Sequence, residues 1–233
     1  MKIEVLVGAD AAARRAAQLI ASEARAAVEA RGRFALAVSG GRTPWQMLRI
    51  LATLRLPWSS VHLFQVDERV APAGDADRNL THIAESLLAN VAMPPSNVHA
   101  MPVEDANLAT AAARYARELA TIAGSPPVLD LIHLGLGPDG HTASLVPRDP
   151  VLDVVDRDVA LTGVCLGRVR MTLTYPMLNR ARRILWLVTG AEKAAMLARL
   201  NAGDRSIPAG RVESDRAVVL ADAAAVSAQG QQQ

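Results

Sequence analysis

The stretch VLDLIHLGLGPDGH, Val128 to His141, decides the fold class. Val128 to Leu136 is the most apolar strand-like run of the chain, and it ends abruptly in Gly137-Pro138-Asp139-Gly140-His141. An apolar strand that stops at a turn rich in glycine and titratable residues is the signature of an α/β sheet whose strand ends carry ligand loops. Working outward, the same pattern recurs. Upstream, Ile3 to Val7 reads as a strand, followed by a long Ala/Arg helix that Asp10 is expected to cap and that runs to about Arg31. Phe34 to Val38 is a second strand, ending in Ser39-Gly40-Gly41 before a helix opening at Pro44. Val61 to Val66 is a third, ending in Asp67-Glu68-Arg69. A helix over Asn79 to Val91, a short strand at Val98 to Met101 and a helix over Ala106 to Ile122 lead back to Val128.

Downstream, Val151 to Thr174 alternates Val, Asp and Arg without helical period and reads as antiparallel strands or a flap near the sheet edge. Ile184 to Val188 is a continuous apolar run typical of a strand buried on both faces. Gly190 to Lys193 then opens a helix to about Leu200, and Ala217 to Leu220 is a final strand. The expected architecture is α/β: one doubly wound, mostly parallel sheet with helices on both faces, in a three-layer Rossmann-like arrangement, plus the small antiparallel flap. A single catalytic domain is expected over residues 1–226, with residues 227–233 as a frayed tail.

Composition narrows the function. Of 233 residues, 51% are hydrophobic and 21% charged, which is a packed globular chain and not a disordered one or a coiled coil. Aromatic residues make up 3%, too few for base-stacking platforms, and the net charge of +2 is too small for a phosphate-backbone binder, so no nucleic acid partner is expected. No apolar run approaches the roughly 20 residues that span a bilayer, the N-terminus does not read as a signal peptide, and a single cysteine, Cys165, fits a reducing cytosol. A cytoplasmic protein without a membrane partner is the expectation, as a monomer or homodimer.

Four polar clusters fall at strand ends that a parallel sheet places on one edge. Ser39-Gly40-Gly41-Arg42-Thr43-Pro44 combines glycines, hydroxyls and a helix N-terminus, which suits an anion; a tight turn with a helix cap remains the alternative. Gly135, Gly137 and Gly140 match the spacing of a dinucleotide fingerprint, but Pro138 and Asp139 fill the positions that should face a pyrophosphate, so that reading is set aside. Asp139-Gly140-His141 reads better as an acid–base site, because imidazole titrates near neutrality. Asp67-Glu68-Arg69 is either a solvated turn or a ligand contact through Asp67 or Arg69. Lys193 is one of only two lysines, with Lys2, in a chain that uses arginine elsewhere, and together with Arg170 it would neutralise a phosphate monoester. The histidines show no metal-ligand spacing, so no metal is expected; His133, inside an apolar strand, is expected to be a satisfied core residue.

On these segments the chain resembles the 6-phosphogluconolactonases, of the superfamily that includes glucosamine-6-phosphate deaminase and ribose-5-phosphate isomerase. The resemblance runs from the first strand to about Leu220. It rests on Ser39 to Pro44, Val66 to Arg69 with Asn79 downstream, Gly135 to Leu145, Arg170 to Thr174 and Gly190 to Lys193. It implies the δ-lactone of 6-phosphogluconate as substrate, and no metal or organic cofactor. The phosphate would be held by Ser39, Gly40, Gly41, Arg42, Thr43, Arg170 and Lys193. The general base falls on His141, with Asp139 and Arg69 as partners, and Asp67 would order the loop or contact substrate hydroxyls. An aminosugar-phosphate deaminase and a non-catalytic sugar-phosphate sensor are the rival readings. The deaminases carry a glutamate shortly after the histidine, where this chain has Val146, and an aromatic residue where Arg69 stands. The chain also departs from the lactonase pattern at Val146-Pro147-Arg148, at Arg78 and over Gly163 to Gly167, which bears on the shape of the flap.

Overall fold

A computed structural model of the chain describes residues 1–227. The expected frayed tail therefore lies, beyond Ser227, outside the described residues. Ten strands alternate with helices: β1 (Lys2–Leu6), α1 (Ala9–Arg31), β2 (Phe34–Val38), α2 (Arg42–Ala52), β3 (Val61–Gln65), β4 (Asp67–Arg69), α3 (Asn79–Ser86), β5 (Val98–His99), α4 (Leu108–Ala123), β6 (Leu131–Leu134), β7 (Val159–Leu161), β8 (Arg170–Leu173), α5 (Tyr175–Asn179), β9 (Ile184–Val188), α6 (Ala194–Asn201), β10 (Ala217–Asp222) and α7 (Ala223–Val226). Seven strands form one parallel sheet in the order β1-β10-β9-β6-β2-β3-β5. The chain grows outward from β2 through β3 to β5, and outward the other way from β6 through β9 to β10. The direction reverses between β2 and β6, which opens a crevice at their carboxyl ends.

Strand periodicity divides the core into two layers. Phe34, Leu36, Val38, Leu63, Leu131 and Leu185 face α1, α2 and α3, where a stripe of alanines on α1 lets that helix lie close to the sheet. Ala35, Ala37, Phe64, Ile132, Leu134 and Trp186 face α4, α5 and α6. The strand interiors are buried on both sides, as their unbroken apolar runs require. None of the described helices is long and apolar enough to cross a membrane.

The structure corrects several expectations. The flap over 151–174 is antiparallel at β7 and β8 and at a Cys165–Arg168 bridge, but its start differs: Pro150–Asp153 is a turn of 3-10 helix. Its third strand is β4, which pairs with β8 (Asp67 opposite Thr172, Arg69 opposite Arg170). The Asp67-Glu68-Arg69 triplet is thus no solvated turn: Asp67 and Glu68 are buried, because a second sheet covers them. Gly8, not Asp10, occupies the N-cap of α1, while Asp10 sits in the first turn and accepts from Gln46 Nε2 at 2.8 Å. The helix expected to reach Val91 ends at Ser86, followed by a 3-10 turn at Leu88–Asn90. The strand expected over Val98 to Met101 is two residues long, since the backbone N–H of Met101 turns to Gln65 Oε1 (2.9 Å). His133 is only half satisfied: Nδ1 accepts from the Ser39 N–H at 3.3 Å, whereas Nε2 is buried without a partner among the described residues.

Candidate active site

Because the strands are parallel, their carboxyl ends share one rim, and there the loops after β2, β6 and β9 enclose a cavity of about 530 Å³. Ser39, Gly40, Gly41, Arg42, Thr43, Asp67, Arg69, His141, Arg170 and Lys193 all line it. Of the candidate catalytic and substrate-binding residues, Asp139 alone stands behind the wall, where it lines a neighbouring cavity with His141.

The anion side is built on the start of α2. Gly41 holds the N-cap with φ 132°, a conformation that favours glycine, and no side chain caps the helix, so first-turn N–H groups remain for a ligand. Gly40 is required by closeness: a Cβ there would lie 2.0 Å from Asn79 Oδ1. Ser39 plays a different part from the one expected. Its hydroxyl donates to the His133 carbonyl at 3.1 Å, which ties the turn to β6 and leaves no proton for an anion. Thr43 Oγ1 and Thr189 Oγ1 share a hydrogen bond of 2.7 Å, so one hydroxyl of the pair keeps a proton to donate. The carboxylate of Asp222, at the end of β10, accepts the Gly190 N–H at 3.1 Å and fixes the loop that carries Lys193.

Arg170 is the most telling cation. It is 8% exposed, its Nε has no partner, and among the described residues no carboxylate stands within ion-pair distance. A buried guanidinium left this way is unfavourable by itself and is a ready partner for an anionic ligand. Arg42, Arg69 and Lys193 are likewise without a carboxylate partner among the described residues, so four cations face a cavity whose carboxylates are Asp67, Glu192 and Asp222.

The acid–base side is the Asp139–His141 pair. His141 Nδ1 lies 2.6 Å from Asp139 Oδ1, and the same oxygen accepts the His141 backbone N–H at 3.1 Å. An ionised carboxylate only accepts, so Nδ1 carries a proton, and in the neutral ring the Nε2 lone pair is free. Burial pushes the Asp139 carboxyl up, but the His141 backbone N–H and the charge and hydrogen bond of its ring outweigh that and hold it below the usual carboxylate range. The loop is tight because the Gly137 N–H bonds the His141 carbonyl (2.8 Å) and the Gly140 N–H the Gly137 carbonyl (3.0 Å). A Cβ on Gly137 would stand 2.1 Å from His141 Nδ1, so the glycine is what lets the pair form.

Arg69 donates from Nη1 to Asn79 Oδ1 and to the Asp77 carbonyl, each at 2.8 Å. Asp67 accepts a 2.6 Å hydrogen bond from Ser144 Oγ, which orients it toward the cavity wall. Asn79, Thr189 and Ser144 were given no role from the sequence. Ser144 and Thr189 contact residues far along the chain, Asp67 and Thr43, whereas Asn79 bonds Arg69 and the Asp67 carbonyl, 10 and 12 residues back.

A family model described as glucosamine-6-phosphate isomerases/6-phosphogluconolactonase matches residues 8–220. A protein of Nostoc sp. named 6-phosphogluconolactonase is 36% identical, with 96% of each chain covered. One of the same name from Synechocystis sp. is 39% identical over 82% of this chain and 81% of its own. Among solved structures, 6-phosphogluconolactonase from Thermotoga maritima superposes with a TM-score of 0.84 at 28% identity, covering 95% of this chain and 98% of that one. A crevice at the reversal of a parallel sheet, lined by unpaired cations and a carboxylate-oriented histidine, accompanies that match along nearly the whole chain, and the protein belongs to the glucosamine-6-phosphate isomerase/6-phosphogluconolactonase family.

Proposed function

We propose that the protein hydrolyses 6-phospho-D-glucono-1,5-lactone to 6-phosphogluconate, with His141 as general base. The observation that carries this reading is one cavity holding both a buried, unpaired Arg170 and an imidazole with a free Nε2. The phosphate is held by the first turn of α2, the Thr43–Thr189 pair, Arg170 and Lys193, which leaves the lactone carbonyl toward His141. A lactone carbonyl is already electrophilic, so the reaction needs a deprotonated water and a stabilised oxyanion. His141 Nε2 takes a proton as the water oxygen bonds to C1, and Arg69 bears the developing charge. Collapse breaks the bond between C1 and the ring oxygen, which takes the proton back from the imidazolium; Asp139 holds that cation throughout.

The test generates the lactone in situ by oxidising glucose 6-phosphate and measures acid release above the spontaneous rate. Acceleration that requires the phosphate, with no ammonia from glucosamine 6-phosphate, supports the reading. Ammonia release would assign the deaminase chemistry instead, and phosphate-dependent binding without turnover a sensor.

A further inference from the structure

We propose that Glu68 is a positioning residue for this reaction: its buried carboxylate seats the first turn of α3 on β4, and through Asn79 it aims the guanidinium of Arg69. The proposal rests on the lactonase reading for Arg69's role, but its geometry stands apart from that reading.

Glu68 is completely buried, and its two oxygens accept four hydrogen bonds and face one arginine. Oε1 accepts the backbone N–H groups of Arg69 (2.9 Å) and Asn79 (2.8 Å), and Oε2 accepts Gln65 Nε2 (2.7 Å) and the Leu80 N–H (2.8 Å). Arg78 Nε adds an ion pair at 3.3 Å. A carboxylate has about four lone-pair sites, so this one is saturated. The N-cap residue of α3, Arg78, offers no side-chain cap of its own. Glu68 supplies the cap from β4, on two N–H groups that would otherwise be buried without an acceptor. One side chain thereby locks the register between the strand that carries Arg69 and the helix that begins with Asn79.

That locked register sets the aim of Arg69. Asn79 Oδ1 accepts Arg69 Nη1 at 2.8 Å, Asn79 Nδ2 donates to the Asp67 carbonyl at 2.8 Å, and the amide is wedged against Gly40 of the anion turn. The charges are sorted as well. The carboxylate meets Arg69 only at its backbone and is balanced by Arg78, itself 2% exposed and also bonded to Glu104 Oε1 (2.8 Å) and the Ala71 carbonyl (3.0 Å). A neutral amide contacts the Arg69 guanidinium, so its charge is not cancelled before substrate arrives.

The experiment is a double-mutant cycle with Glu68→Gln and Arg69→Ala. The neutral isostere turns an amide NH2 toward backbone donors, so Glu68→Gln should lower kcat about 10- to 100-fold with KM within about threefold. In the Arg69→Ala background the same change should alter kcat by less than about twofold, since its route is gone. An equal loss in both backgrounds overturns the proposal. If Glu68→Gln does not fold, Asn79→Ala cuts the link while leaving Glu68 in place and must show the same lack of additivity; an additive loss overturns the proposal there. A second readout is independent of turnover: the Arg69 guanidinium gives a protected side-chain NMR signal in the wild-type protein that Glu68→Gln, or Asn79→Ala, should abolish. Persistence of that signal overturns the proposal even if the lactonase reading itself fails.

Discussion

Replacing Arg170 by methionine should make the unliganded protein more stable and the liganded one weaker. The guanidinium is 8% exposed with an unpartnered Nε, whereas the backbone of residue 170 is held separately, by Thr162 Oγ1 on its N–H (3.1 Å) and by the Thr162 N–H on its carbonyl (2.9 Å). An unsatisfied buried donor costs about 1–3 kcal/mol, and a methionine of similar length removes it, so stability in urea should rise by about that much. Against that, one charged hydrogen bond to the phosphate contributes about 1.5–3 kcal/mol, which corresponds to a rise in KM of about 10- to 150-fold for the phosphorylated lactone. Unphosphorylated δ-gluconolactone should be turned over within about twofold of wild type, because the substitution leaves His141 untouched. Inorganic phosphate at ten times its Kd should stabilise the wild-type protein by about 1.4 kcal/mol and the variant by much less at the same concentration. A variant that is less stable than wild type, with equal KM changes for both lactones, would refute the assignment of Arg170 as an unpaired anion ligand.

Three other expected outcomes rest on particular contacts. His141→Ala should lower kcat by about 10²–10⁴ while phosphate still protects against urea; turnover near the wild-type level would remove His141 from the mechanism. Gly137→Ala places a Cβ 2.1 Å from His141 Nδ1 and 2.7 Å from Asp139 Oδ1 without requiring a left-handed backbone, so the fold should survive by circular dichroism while kcat falls at least about 10²-fold. The third concerns acid. Burial pushes the His133 imidazole down from 6.5 to about 3. Between those values the unfolded chain binds a proton that the folded one refuses, so stability rises with pH there and is lost on acidification. The slope is about 1.4 kcal/mol per pH unit, or about 2 kcal/mol between pH 6.5 and pH 5. His133→Asn keeps an acceptor near the Ser39 N–H and should flatten that slope in urea melts; an unchanged slope would show that other groups set the acid sensitivity.

The strand–helix alternation was legible because burial imposes periodicity on each segment: Val128 to Leu136 and Ile184 to Val188 announce buried strands from their own residues. The glycine and hydroxyl content of the Ser39–Thr43 turn and the Asp139-Gly140-His141 loop were equally local. The misreadings share a different origin. For Asp67 to Arg69 the sequence leaves a solvated turn open beside a ligand contact, because the partner strand β8 is remote in the chain and an edge strand three residues long has no period to detect. Ser39 looked like a ligand hydroxyl, yet its proton goes to the carbonyl of His133, 94 residues away. Thr189 carries no local mark, because its bond to Thr43 spans 146 residues.

The amino-acid order on its own therefore settled which segments become parallel strands, and with that the rim on which their loops gather, since side-chain pattern and turn chemistry act over a few residues. Only the folded chain decided which polar groups are neutralised by a neighbour and which are left facing the cavity. Asp139 is occupied by His141, Glu68 by four hydrogen bonds and the Arg78 ion pair, and the Arg170 Nε by nothing among the described residues. That sorting depends on distances between residues scattered along the chain, and electrostatic pairing is set by those distances rather than by proximity in sequence.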